Sequence, residues 1–255
     1  MQHTHPGRPA PIRRLALAAG LGSLLAATLA TALLTSQASA GAAAVTVRVE
    51  GTKTTLVAAT AVALPSARVT KNGVAADSCA GTSAAGALQL ATHGDWAGSW
   101  SASYKAYFVT GIDGLSLPSS GAEFWAFWVN DAPASEGICS YDPKPGDRLL
   151  FFPDCYGKSC PKSAGVLGVK APALAVVGKA FEVTVTAYSD AKGTPSKAVG
   201  ASVSGGGASA TTGADGTASL TFTHAGAVTL KVSAPHAIRT EASVCVQTAT
   251  AKGCA

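Results

Sequence analysis

The sequence lacks the signatures of the common hydrolases and nucleotide-using enzymes. It has no Gly-x-Ser-x-Gly elbow, no His-Glu-x-x-His pair and no phosphate loop. It has no Cys-x-x-Cys pair, and no histidine stands near its closest cysteines, so a zinc site has no ligand set. Lys and Arg are scattered, without runs and without the aromatic interleaving of nucleic-acid binders, so no nucleic-acid partner is expected. Past residue 34 there is no long apolar stretch, so no membrane association is expected once the leader is gone. Carboxylates are few, and beyond residue 165 so are aromatics. No catalytic residue, metal or cofactor is assigned from these patterns.

The amino-terminal residues read as an export signal. Arg8, Arg13 and Arg14 precede an uncharged apolar run from Leu15 to Leu34, and Ala38-Ser39-Ala40 matches the small-x-small cleavage pattern. The run is also long enough to serve as an uncleaved anchor. Cleavage after Ala40 removes the three arginines and lowers the formal charge from +5 to +2, which weakens the case for a polyanionic partner. The reading is a protein exported by its signal peptide (residues 1–40) to the cell surface or the medium. Its partner is expected to be an extracellular ligand or a cell-envelope component.

All six cysteines (Cys79, Cys139, Cys155, Cys160, Cys245 and Cys254) follow this leader, and an exported chain is expected to oxidise them in pairs. The Cys155–Cys160 spacing, with Gly157 inside it, suits a local bridge. Cys245 and Cys254 bracket a polar tail, which leaves Cys79 for Cys139.

Composition divides the remainder near residues 155–165. All four tryptophans (Trp96, Trp100, Trp125 and Trp128) precede that joint, whereas Val, Thr, Ala, Ser and Gly dominate after it. Residues 41–160 read as several strands around one short helix over Ala80–Thr92. The strands include Val45–Glu50, Tyr104–Ile112, Glu123–Asn130 and Asp147–Pro153. Residues 161–255 read as six or seven short strands separated by Gly-rich turns, the rhythm of a β-sandwich. The fold class is mostly β: an α+β domain followed by an all-β one.

Val45–Gly51, Tyr107–Gly114, Phe124-Trp-Ala-Phe-Trp-Val-Asn130, Gly137, and Pro145-Gly146-Asp147 with Leu149–Phe152 together resemble the transcobalamin-like C-terminal family, over residues 45–155. Its bacterial members are largely catalogued as a domain of unknown function. The resemblance implies a β-grasp-like fold and, from the vertebrate carriers, contact with a corrinoid. Lys197–Val203 and Ala214–Phe222 resemble bacterial immunoglobulin-like and carboxypeptidase-regulatory-like modules, which serve as spacers or adhesive units.

The functional expectation is a non-catalytic binding or surface-interaction protein. The alternatives are a secreted carbohydrate-active or cell-wall enzyme, drawing on Glu123, Asp131, Glu136, Asp142 and Asp147, and a binder of a corrinoid-like small molecule. Candidate ligand contacts are Trp96 and Trp100, placed in a Gly-rich loop from His93 to Trp100, together with Trp125 and Phe127. Trp125 and Trp128 lie on opposite faces of their strand. Trp128, beside small Ala126, is expected to be the core anchor, with Trp125 and Phe127 on the ligand side. Replacing Cys79 by Ser opens a loop of about 60 residues and should cost roughly 4 kcal/mol in chemical denaturation, more than losing Cys245–Cys254.

Overall fold

A computed structural model of the chain describes residues 44–117, 121–158, 160, 165–190, 192–250 and 254. The expected signal peptide lies outside these residues, as does part of the joint at 161–164. The described residues fall in one compact unit, Ser39–Ala255. The fold is mostly β with one short helix.

In chain order the first half holds β1 (Val45–Glu50), β2 (Thr55–Val62), α1 (Ala84–Ala91), β3 (Trp96–Ser101), β4 (Ala106–Ile112), β5 (Leu115–Ser116), β6 (Glu123–Val129), β7 (Ala132–Pro133) and β8 (Arg148–Cys155). Five of these strands form a sheet in the order β2-β1-β8-β6-β7, and β3-β4-β5 form a second sheet. β1 runs parallel to β8, whereas β6 is antiparallel to it. Pro153 is tolerated inside β8 because β1 pairs only with Arg148–Phe151, so the missing N–H interrupts no ladder.

Two hairpins follow from residues that tolerate left-handed backbone. Asp113-Gly114 (φ 48° and 75°) joins β4 to β5, and Asn130-Asp131 (φ 50° and 70°) joins β6 to β7.

α1 is made of small residues, and Ala84, Ala85, Gly86, Ala87, Leu88 and Ala91 are buried. Gly86 lies so close to Gly81 that a Cβ there would overlap the Gly81 carbonyl. The helix begins without a side-chain cap. Instead the N–H groups of Ala84 and Ala85 donate to the carbonyls of Tyr141 (3.0 Å) and Ile138 (2.9 Å). The Cys79–Cys139 disulfide, with Cα atoms 4.8 Å apart, ties those two segments together. The other bridges join Cys155 to Cys160 and Cys245 to Cys254.

The second half holds β9 (Gly165–Lys170), β10 (Leu174–Val176), β11 (Ala180–Tyr188), β12 (Pro195–Lys197), β13 (Ser202–Gly205), β14 (Ala208–Thr211), β15 (Thr217–Thr221), β16 (Gly226–Ser233), β17 (Ala237–Ile238) and β18 (Thr240–Gln247). They form two sheets, β10-β18-β16-β13-β14 and β12-β11-β9-β17, with β15 added to β11. Val183, Val185, Leu220, Val203, Leu230, Val232, Val244 and Val246, drawn from both sheets, share one apolar cluster.

Strand alternation sends the two faces of β6 to different places. Trp125, Phe127 and Val129 face the main cluster with α1, Val45, Val47, Val49, Leu149 and Phe151. Ala126 and Trp128 face a smaller cluster with Leu150, Phe152, Val166 and Ile238, where the two halves of the chain meet. This corrects the expected core anchor. Trp125 is only 8% exposed, while Trp128 is half-buried. The room beside Ala126 is taken by its cross-strand partner Phe152, so the Trp128 ring sits edge-on to Phe152 at 5.7 Å instead of entering a deep layer.

Next to this joint lies a buried ionic group. The Glu50 carboxylate, 1% exposed, accepts hydrogen bonds from the Thr55 hydroxyl (3.0 Å) and Arg239 Nη2 (2.9 Å). Arg48 Nη1 stands 3.5 Å from it and donates to the Arg239 carbonyl at 2.8 Å. Desolvation lowers the Arg48 pKa, and the charge of Glu50 opposes that shift. Removing Glu50 would leave two guanidinium groups without their anion. Glu50→Ala should therefore lower stability by about 3–5 kcal/mol, read as the shift in urea midpoint.

Candidate binding cleft

The expected loop site at Trp96 and Trp100 is not a loop. Both residues lie in β3, paired antiparallel with β4. Trp96 is 4% exposed and Trp100 half-buried, and both rings pack edge-on against Tyr107, at 5.9 and 5.0 Å. The Trp96 indole N–H donates to Gln89 Oε1 at 2.8 Å, and the Lys71 ammonium lies 4.8 Å above its ring while donating to the Gly94 carbonyl. The Tyr107 hydroxyl is engaged as well: it donates to the Asp77 carbonyl (2.6 Å) and accepts from the Lys71 N–H (2.9 Å). Glycines at 94 and 98 suggested a loop, but here Gly94 ends the helix and Gly98 lets β3 lie close over Trp96 and Tyr107.

Trp125 and Phe127 do line a cleft, of about 610 Å³. Tyr104, Ala106–Val109 and Phe124 contribute further walls, and Glu136–Ile138 pass along it. Residues of both faces of β6 line the same space, so the cleft runs along the edge of that strand and not over one face. The same holds for β4. The rims carry exposed aromatic pairs: Tyr104 with Phe108, centroids 5.6 Å apart, and Phe124 with Tyr156 at 6.0 Å. The edge pairing of Tyr104 and Phe108 was not legible in sequence, because Lys105, with φ 50°, turns the chain back just before β4. Trp125 carries the cleft's unusual chemistry. Its indole nitrogen is the one buried side-chain N or O among the described residues without a hydrogen-bond partner. An orphaned donor in an apolar wall is costly unless something docks there and accepts from it.

The carboxylates considered for catalysis are dispersed. Asp147 is buried, and its carboxylate receives hydrogen bonds from Asn130 Nδ2 (2.7 Å), the Tyr141 hydroxyl (2.8 Å) and the Lys144 N–H (2.8 Å). Burial alone would raise its pKa, but these three donors outweigh burial and hold it below the usual carboxylate value. The Tyr141 hydroxyl is pushed up to about 12 by burial and by its bond to Asp147. Asn130 also accepts from the Arg148 N–H at 2.9 Å, so Asn130 and the Pro145-Gly146-Asp147 turn lock the end of β6 to the start of β8. Asp131 pairs with Arg148 and Asp142 with Lys144. Glu123 and Glu136 remain exposed, and Glu136 lines the cleft. A second, polar cleft of about 460 Å³ lies between the halves, but its Arg48 and Arg148 already face Glu50 and Asp131. Among the described residues no cluster of His, Cys, Asp or Glu could hold a metal, and no helix is long and apolar enough to cross a membrane.

Residues 81–152, which include every wall of the aromatic cleft, match the family model of a domain of unknown function, DUF4430. No curated protein matches the chain. Among solved structures, the Arg-specific cysteine proteinase gingipain R is 18% identical with a TM-score of 0.26. The likeness covers 40% of this chain and 23% of that one, too slight to inform fold or activity.

A group whose folded pKa is depressed stabilises the protein above its unfolded pKa, and that contribution fades as pH falls through the folded value. Asp147 is such a group. The native protein should therefore lose melting temperature as pH drops below about 4. Asp147→Asn should start lower at pH 7 and show a shallower acid decline, checked by calorimetry across that range.

Proposed function

We propose that this is an exported, non-catalytic binding protein that works outside the cytoplasm and takes its ligand in the aromatic cleft between β4 and β6. The observation that carries this reading is the cleft itself, into which Tyr104, Tyr107, Phe108, Phe124, Trp125 and Phe127 all converge, with the Trp125 indole N–H buried and unpartnered among the described residues. Three disulfides suit an oxidising compartment, as does the leader-like sequence of residues 1–40. The finer assignment within this proposal is a transcobalamin-like, β-grasp-like domain over residues 41–160, followed by an immunoglobulin-like sandwich over residues 161–255. The parallel pairing of β1 with β8 beside a helix supports the first, and two sheets sharing one core support the second. The non-catalytic part is supported by the engagement of Asp147, Asp131 and Asp142 in structural contacts.

The test is a nuclear magnetic resonance titration of the protein with small probes: indole, a disaccharide, a short peptide and a corrinoid. Binding should move resonances of Tyr104–Val109, Phe124–Phe127 and Glu136–Ile138 and no others. Trp125→Phe keeps an aromatic ring but removes the donor, and should weaken an acceptor-bearing probe roughly tenfold while a probe without an acceptor changes less. Turnover of a glycan probe that disappears in Glu136→Gln would replace this reading with the enzymatic one.

A further inference from the structure

The position of the cleft says more about its ligand than its aromatic content does. In β6 the Ala122 carbonyl accepts from the Tyr156 N–H, on the β8 side, and the Asn130 N–H donates to the Arg148 carbonyl on that same side. The Phe127 carbonyl accepts from the Ala134 N–H, on the β7 side. Backbone groups alternate along a strand, so those of Glu123, Trp125 and Phe127 all point away from β8. β7 is two residues long and its pairing reaches only Trp128 and Val129, with Ala134 extending it to Phe127. The outward N–H and C=O groups of Glu123 and Trp125 therefore have no backbone partner among the described residues. Across the cleft the situation is similar. β5 covers β4 only at Gly111 and Ile112, Leu117 adds one bond at Thr110, and the Tyr107 N–H donates to Cys139 Sγ at 3.4 Å; among the described residues no further strand pairs with that side of Ala106–Val109.

A groove bordered by the open edge of β6 and walled by rings has the form of a docking edge for one more strand. Building on the binding reading above, we infer that the cleft takes an extended peptide segment as an added strand along β6, with apolar side chains against Trp125, Phe127 and Phe108 and a basic side chain near Glu136. Main-chain hydrogen bonds to Glu123 and Trp125 supply the register, and the ring walls supply selectivity for alternating apolar residues. Glu136 lines the cleft, and Glu123 is the first residue of the strand that borders it. Both are exposed, and neither has an ion-pair partner among the described residues, so the charge complement favours a cationic segment over an acidic or neutral one. The Trp125 indole N–H gains an acceptor from a carbonyl or polar side chain of that segment.

The probe is a synthetic octapeptide of alternating valine and threonine with a lysine at each end, with two further versions N-methylated at complementary sets of alternate residues. Titration of the whole protein is followed through Trp fluorescence and amide resonances of β4 and β6. The inference expects the parent peptide to bind. It expects one methylated version to lose about tenfold in affinity while the other keeps most of it, because only alternate amides face the host strand. Glu136→Gln, at an exposed side chain, should weaken the parent peptide and flatten its salt dependence without changing the melting temperature. Equal binding of all three peptides would mean apolar adsorption and would overturn the inference. So would a cleft that responds to indole or a disaccharide but not to the peptide, although the binding reading would then stand. No response of the cleft to any probe would end both.

Discussion

The central sheet is covered on both faces, and the rest of the molecule is arranged around that constraint. A strand buried on two sides cannot alternate apolar with polar residues. β6 and β8 accordingly read Phe-Trp-Ala-Phe-Trp-Val and Leu-Leu-Phe-Phe, with large groups at nearly every position. One face meets α1 and the β3-β4-β5 sheet, and the other meets the second half of the chain. The second contact is small and ends in the Glu50 ionic group. That group brings two arginines and one carboxylate together out of water, where each needs the others. Such a joint is specific before it is strong: apolar packing would accept several orientations, whereas the bond from Arg239 Nη2 to the Glu50 carboxylate and the Gly51 carbonyl fits one.

Much of the strand pattern could be read from residues. Alternation in Val45–Glu50 and Phe181–Tyr188 and the Asp113-Gly114 turn all carry local signals that depend on few distant contacts. The face of Trp125 could not be read in that way. Period two says that Trp125 and Trp128 part company, but which face is deeper depends on what lands on it from elsewhere in the chain. The cluster at Val166 and Ile238 is small, and Phe152, 2% exposed, takes its interior. The misplaced loop at His93–Trp100 has the same origin. Glycine marks both turns and close strand approaches, and only the partner strand β4 decides which.

The cleft was half legible. Trp125 and Phe127 could be named because large rings cluster there, yet Tyr104, Phe108 and Glu136 joined them only through tertiary folding. Nor does sequence show which indole is left without an acceptor. Trp96 and Trp125 look alike in a string of letters. Gln89 of α1 satisfies the first, and among the described residues nothing satisfies the second.

That difference also separates a closed from an open aromatic group within one half of the chain. The Trp96–Tyr107–Lys71 group is closed: rings face rings, the hydroxyl and the indole are bonded, and the ammonium, its pKa lowered by desolvation, caps the assembly. A closed group of this kind stabilises the segment that it pins, here the excursion from Val69 to Cys79 that reaches the disulfide. The Trp125 group is open on three counts at once among the described residues: an unmet donor, an unpaired edge of β6 and exposed rings at the rim. Each alone is tolerable in a stable fold. Their coincidence in a frame pinned at Asn130–Asp147 and by Cys79–Cys139 is the arrangement that would lower the ordering cost of the ligand proposed above.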